Sequence, residues 1–301
     1  MIRSSSAFLL CIAFAAPSAQ GQTLDHTNST PQVGDSFISH ESEYIDPSPG
    51  GPEVTWDFSG LTMGGSITGT YVTPASTGHA AGYPGATLAL DLGNGLYGFI
   101  ASGNEWVDDL GIVEATSGMT IAYQDPIRTM VYPCSYNTTW TDPYSGTYSM
   151  MGLDQDLTGT ISGHADGYGT VVMPYGTITN VLRVRTVEER VQVIAGVGSI
   201  ESVTITHSFH KPGIRHALLS MTAAVTDVMG TITEEQYGSW IPAEEVGVHE
   251  ALHEAIGIDV FPNPATDQVA VVFGSGGGSL RMQVLDGTGR VAIERRRTGQ
   301  P

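Results

Sequence analysis

The sequence predicts an all-β protein whose main body is sandwich-like. Three observations predict it. The chain holds 38 Gly and 12 Tyr, with Thr and Val frequent, a composition that suits strands joined by tight turns. Apolar and polar residues alternate with period two in segment after segment from Val33 to Trp240, the pattern of half-buried strands. Gly-containing breaks recur at roughly the 8–12-residue spacing typical of all-β sandwiches and barrels.

In chain order the strand segments are "DSFISHE", "VTWDF", "SITGTYVT", "TLALDL", "LYGFIA", "GIVEAT" and "MTIAYQ". A Pro- and Tyr-rich stretch, "VYPCSYNTTWTDPYSG", follows. Then come "TYSMMGLDQDLTGTISGHA", "GTVVMP", "NVLRVRTVEERVQVI", "SIESVTITHSFH", "HALLSMTAAVTDV" and "GTITEEQYGSWI". No helix is expected before Ala243. From 241 to 258 the chain reads as an acidic linker, with Glu244, Glu245, Glu250 and Glu254. Beyond Asp259 it turns to strands again. "DVFPNPATDQVAVVF" places a Pro-Asn-Pro turn before an alternating strand, and "LRMQVLDGTGRVAIERR" is a hairpin turning at Asp-Gly-Thr-Gly.

Charge separates two units. Residues 22–258 carry 27 acidic and 6 basic side chains, and the segment from Asp259 onward carries 4 and 5. So acidic a body repels nucleic acid and anionic membranes. The N-terminus has the order of a signal peptide: Arg3, the apolar run Ala7 to Ala16, then small residues at Ala19 and Gly21. Residues 1–21 are therefore read as the leader, cut between Gly21 and Gln22. Cleavage removes Cys11 and leaves Cys134 alone, without a disulfide partner and best read as a small buried hydrophobe. No other stretch is apolar enough for a membrane helix.

The tail carries a resemblance. Phe261-Pro262-Asn263-Pro264-Ala265, Asp267, the alternating Val269, Val271 and Phe273, then Val284-Leu285-Asp286 and Gly289-Arg290-Val291 resemble the C-terminal sorting domain of type IX secretion cargo in Bacteroidota. The resemblance implies an immunoglobulin-like β domain over 259–301, shortened here. It implies the type IX machinery as partner, passage through the periplasm, and release or attachment at the outer-membrane surface. Pro262, Asn263, Pro264, Asp286 and Gly289 carry the motif. "VGDSF", "VTWDFSGL" and "DGYGTVVMPYGTITNVLRVRT" resemble uncharacterised extracellular proteins bearing the same tail, which implies location and fold but no activity.

Four groups of residues are candidates for chemistry. His249-Glu250-Ala251-Leu252-His253 matches the H-E-x-x-H pattern, in which two histidines one helical turn apart bind zinc and the Glu is the base. No His follows, so a third ligand is missing from the expected place, and a chance pattern in a linker accounts for it better. His207, His210 and His216 cluster in sequence, yet His207 and His210 fall on opposite faces of a strand. Asp108-Asp109 and Asp154-Gln155-Asp156 offer oxygens for calcium without an EF-hand loop. Tyr132, Tyr136, Trp140, Tyr144 and Tyr148 suit either stacking on a sugar or a β core, and the structural role is preferred. Trp56 and Trp106 read as core.

These observations predict an exported, non-enzymatic protein of the cell surface or medium, binding a glycan or another surface ligand, with no cofactor beyond a possible Ca or Zn. The alternative is a secreted hydrolase, either a zinc peptidase through His249, Glu250 and His253 or a glycosidase using paired acids.

Overall fold

The structure, a computed structural model, describes residues 22–246 in full. Beyond them it describes the strands Ile258–Phe261, Ala270–Phe273, Leu280–Leu285 and Val291–Arg297. The body has thirteen strands: β1 (Ser36–Ser42), β2 (Gly51–Asp57), β3 (Ser66–Val72), β4 (Leu88–Asp91), β5 (Leu96–Gly103), β6 (Trp106–Glu114), β7 (Met119–Val131), β8 (Thr139–Met150), β9 (Leu153–Met173), β10 (Gly176–Ile194), β11 (Gly198–His210), β12 (Leu219–Val228) and β13 (Thr231–Trp240). The predicted segments all fall on these strands. The single segment "TYSMMGLDQDLTGTISGHA" is corrected to two strands, the end of β8 and the start of β9, divided by a tight turn at Met151-Gly152, and "GTVVMP" is the continuation of β9.

The sandwich-like body is corrected to a closed barrel. From β3 to β13 the strands form an antiparallel meander, each paired with the next. β1 then pairs with β3 on one side and β13 on the other, with His40 opposite Trp240. Twelve strands thus make a ring, and β2 stands outside it, parallel to β9. Period-two alternation is common to both architectures. Closure is decided by the β1–β13 pairing, which leaves no unpaired edge in the ring.

Alternation assigns the two faces. Val184, Thr186, Ser208, His210 and Ser220 of β10, β11 and β12 line the central cavity. Phe209, Leu219 and Met221, on the opposite face of the same strands, lie in a buried cluster with Trp56, Phe58 and Leu61. The segment from Glu43 to Leu61, which includes β2, therefore acts as a strap over the outside of the wall. Arg183 fastens it. This side chain is 2% exposed, holds Asp166 at 2.8 and 2.9 Å, and donates to the carbonyls of Pro47 and Ser48. Its guanidinium lies over the Trp56 ring, 5.5 Å from the centroid. A charge this deep persists only when it is paired and hydrogen-bonded; Asp166 takes two of its N–H groups and the strap carbonyls take two more.

One end of the barrel is closed from inside. A helical turn, His26–Ser29, is capped by Asp25, whose side chain accepts from the Thr27 and Asn28 amides. Just before it, Leu24 exchanges backbone hydrogen bonds with Cys134. Leu24, Tyr132, Cys134, Ala165, Leu182 and Val184 form the plug. At the opposite end, tight turns follow β8, β10 and β12, and their tips expose Met151, Val197 and Met229.

Between β7 and β8 the ladder parts after Asp125. Two β8 side chains take over there. Asp142 accepts from the Arg128 amide at 2.8 Å, and Trp140 Nε1 donates to the Arg128 carbonyl at 2.9 Å. The backbone groups freed by the gap thus find partners.

The outward faces of β10–β13 mix Val191, Val203 and Val225 with Glu189, Glu201 and Glu234. Those strands present no unbroken apolar band of the kind a lipid-facing barrel wall requires. No described helix is long and apolar enough to cross a membrane. In the tail, β14 (Ile258–Phe261) pairs antiparallel with β15 (Ala270–Phe273), and β16 (Leu280–Leu285) with β17 (Val291–Arg297). The second pair is the hairpin expected around Asp-Gly-Thr-Gly.

Candidate functional site

The barrel interior holds a cavity of about 450 Å³ next to the plugged end, open in part to solvent. Its size follows from strand number. Eight strands leave an interior that side chains just fill, and twelve leave room. The walls are mostly apolar, with Ile100, Val107, Ile161 and Val184 from four strands. Hydroxyls punctuate them at Ser39, Thr129, Thr186, Ser208 and Ser220. Ser208 and Ser220 share a hydrogen bond at 3.0 Å across β11 and β12.

Two imidazoles reach this cavity. His210 ends β11 and faces inward. His216 lies in the loop after it and packs on Phe37 at 4.2 Å and Tyr71 at 5.3 Å between ring centroids. Among the described residues neither ring nitrogen of His210 or His216 has a hydrogen-bond partner within the protein. Burial pushes both down to about 4, since a charged imidazole would lose its hydration there. For His216 the nearby Asp35 opposes the shift and Arg215 reinforces it. Both rings are therefore neutral at ordinary pH, each offering one donor and one acceptor. The one lining cation among the described residues, Arg215, is paired with Asp35 at 3.0 Å.

Further along the interior lies a second constellation. Asp109 of β6, Tyr123 of β7, Tyr144 of β8 and Glu188 of β10 approach one another from four strands. The Tyr144 hydroxyl donates to Glu188 at 2.5 Å, and Asp109 accepts from the Gly111 amide at 2.8 Å. Burial, helped by the neighbouring Glu188 charge, raises Asp109 to about 6, against the pull of that amide. Ile121, Ile127, Leu157 and Ile161 pack around the two tyrosines.

The sequence candidates are dispersed by the fold. His207 and His210 do lie on opposite faces. His207 sits outside near Arg183 and Asp166, held down to about 4 by burial and then by Arg183. Asp108 and Asp109 are likewise split: Asp108 points outward to Arg128 at 2.6 Å, and Asp109 points inward. Asp154 and Asp156 are both exposed, and Asp154 accepts from Ser149. No group of three or more metal-binding side chains forms among the described residues. The aromatics of the Tyr-rich stretch do not make one platform. Tyr132 bonds Thr30, Tyr136 meets Tyr168 edge-on, Trp140 holds the β7–β8 gap, and Tyr148 reaches Met150. Trp56 is 1% exposed in the strap, and Trp106 is half-buried beneath Arg128. Cys134 is fully buried, with its thiol pushed up to about 12. His249, Glu250, His253, Gly21, Pro262, Asn263, Pro264, Asp286 and Gly289 lie outside the described residues.

The inward pairing of His210 with His216, and of Asp109 with Glu188, escaped the sequence reading. The first pair brackets the Lys211-Pro212-Gly213 turn, which was the available signal. The second joins distant strands, and only the barrel brings it together. Compared with known proteins, the chain matches no family model, no curated protein and no solved structure.

Proposed function

We propose that this is an exported, non-enzymatic binding protein that holds a small molecule inside its barrel. The observation that carries the reading is the 450 Å³ cavity with two imidazoles left unbonded by the protein. Both imidazoles line the cavity and are only partly buried, so their ring nitrogens are left for an occupant to bond, and a cavity of this volume falls within the range of small-molecule sites. Export rests on the leader-like residues 1–21 and the tail's resemblance to type IX sorting domains. Delivery to the surface or medium fits a barrel whose ring has no exposed edge and whose charge is strongly acidic. The interior site replaces the surface glycan platform as the place where a ligand is held.

The test is a thermal-shift screen of the protein against small molecules, run in parallel on Ser220→Phe, which narrows the cavity. Compounds that raise Tm in the parent and not in the variant are expected. Shifts identical in the two proteins would defeat the reading.

A second reading is favoured by one observation. Asp109, which burial raises to about 6, lies near Glu188 in the barrel interior, and a carboxyl raised in this way is what a glycoside hydrolase uses as its acid. Asp109→Asn would abolish any hydrolysis of aryl glycosides. Activity that survives this substitution rules the pair out.

A further inference from the structure

The charge pattern of the cavity says more about its occupant, granted that the barrel binds one. Among the described residues, no unpaired charge reaches the cavity wall. Arg215 is matched by Asp35, and the remaining lining residues are apolar, hydroxyl-bearing or imidazole. The acids Asp109 and Glu188 are not among its lining residues. A charged ligand would exchange its hydration for a surface with no counter-charge, a loss no hydroxyl recovers. The apolar walls favour a carbon-rich body, and the mutually packed rings of Phe37, Tyr71 and His216 add aromatic surface for it to pack against. His210 lines the same cavity, and its ring has no protein partner among the described residues. An occupant that hydrogen-bonds this ring completes a polar group that is otherwise left to water.

The geometry points to an uncharged molecule with a ring-containing apolar body and one polar group that hydrogen-bonds His210. This rests on the binding reading above and specifies its ligand class.

Two fluorescent probes with the same ring skeleton test it. N-phenyl-1-naphthylamine is neutral and carries one N–H. 1-Anilinonaphthalene-8-sulfonate adds an anionic group. The neutral probe is expected to bind the protein saturably, with the sulfonate at least about tenfold weaker. His210→Leu should weaken the neutral probe roughly three- to tenfold, the worth of one hydrogen bond. Val184→Trp, which fills the cavity, should abolish binding; if that variant does not fold, Ser220→Leu makes a smaller intrusion and should weaken it. A sulfonate probe that binds as tightly as the neutral one, and is lost in the filled variant, overturns the ligand class and leaves the binding reading standing. Neutral-probe binding insensitive to the filling variants, or no saturable binding of either probe, overturns both. Filling-sensitive binding that His210→Leu leaves unchanged overturns the role of His210.

Discussion

Arg183 shows how one residue can hold two parts of the chain together. It is buried against Asp166, two strap carbonyls and the Trp56 ring, so its charge is satisfied only in the folded strap. Gly50 runs so close that a Cβ there would stand 2.6 Å from the guanidinium. Arg183→Met strands the Asp166 carboxylate, and stability should fall by about 3–5 kcal/mol in urea denaturation. Arg183→Lys should recover little of this, since an ammonium cannot reproduce the bidentate fork.

The histidines set a pH response at the same scale. His210 and His216 stay neutral in the fold down to about 4, whereas in the unfolded chain they take protons from about pH 6.5. Between these values the unfolded state binds more protons, so stability drops as pH falls. His207 adds in the same direction. Asp109 opposes them: raised to about 6, it is protonated in the fold before the unfolded carboxyl is, and it gains stability as pH falls through that value. The imidazoles outnumber the carboxyl. A net loss is expected from pH 6 to 4.5, about 1.4 kcal/mol per pH unit for each net proton. Urea midpoints across that range should fall more gently in His210→Leu and more steeply in Asp109→Asn. Equal slopes in all three proteins would contradict these assignments.

At the scale of the element, β8 and β9 depend on glycine facing aromatic. Gly163 pairs with Trp140, and Gly159 pairs with Tyr144. A Cβ on Gly163 would overlap the Trp140 ring. The glycine lets the indole lie flat along β9, where its Nε1 reaches the Arg128 carbonyl. Gly163→Ala should therefore cost about 1–3 kcal/mol, the range for overpacking. Much of that loss should disappear in a Trp140→Leu background, and a double-mutant cycle measures the coupling. Additive effects would mean that the ring moves aside freely.

The strands themselves were legible element by element, because alternation and turn residues act locally. "NVLRVRTVEERVQVI" announces β10 by its pattern alone. The extent of β9 was not legible. The sequence pattern ends one segment at Ala165 and opens the next at Gly169, yet a single strand runs through from Leu153 to Met173. Tertiary pairing with β2 and β10 carries the backbone past glycines that would otherwise turn it.

For the whole molecule, closure is expected to be the slow event. β1 must find β13 across nearly the full body, and such long-range pairing carries a loop-closure cost before it is rewarded. Refolding followed by tryptophan fluorescence should take milliseconds to seconds or longer, as in other β proteins of non-local topology. Ser39→Pro removes an amide donor next to the β1 residues that pair with β13 and should slow or abolish refolding. Refolding as fast as the parent would mean that β1 docks after the barrel has formed.

By itself the sequence determined where most strands of the body lie, which faces of them are apolar, that Cys134 is buried, and that His207 and His210 point opposite ways. These follow from period-two geometry and from transfer of apolar groups out of water, both settled over a few neighbouring residues. The tertiary structure alone decided that the sheet closes as a barrel, that the strap covers the outer wall, and that His210 with His216, and Asp109 with Glu188, share an interior. A strand's alternation fixes that it has two sides. Which side becomes the inside depends on the distant strand that completes the ring.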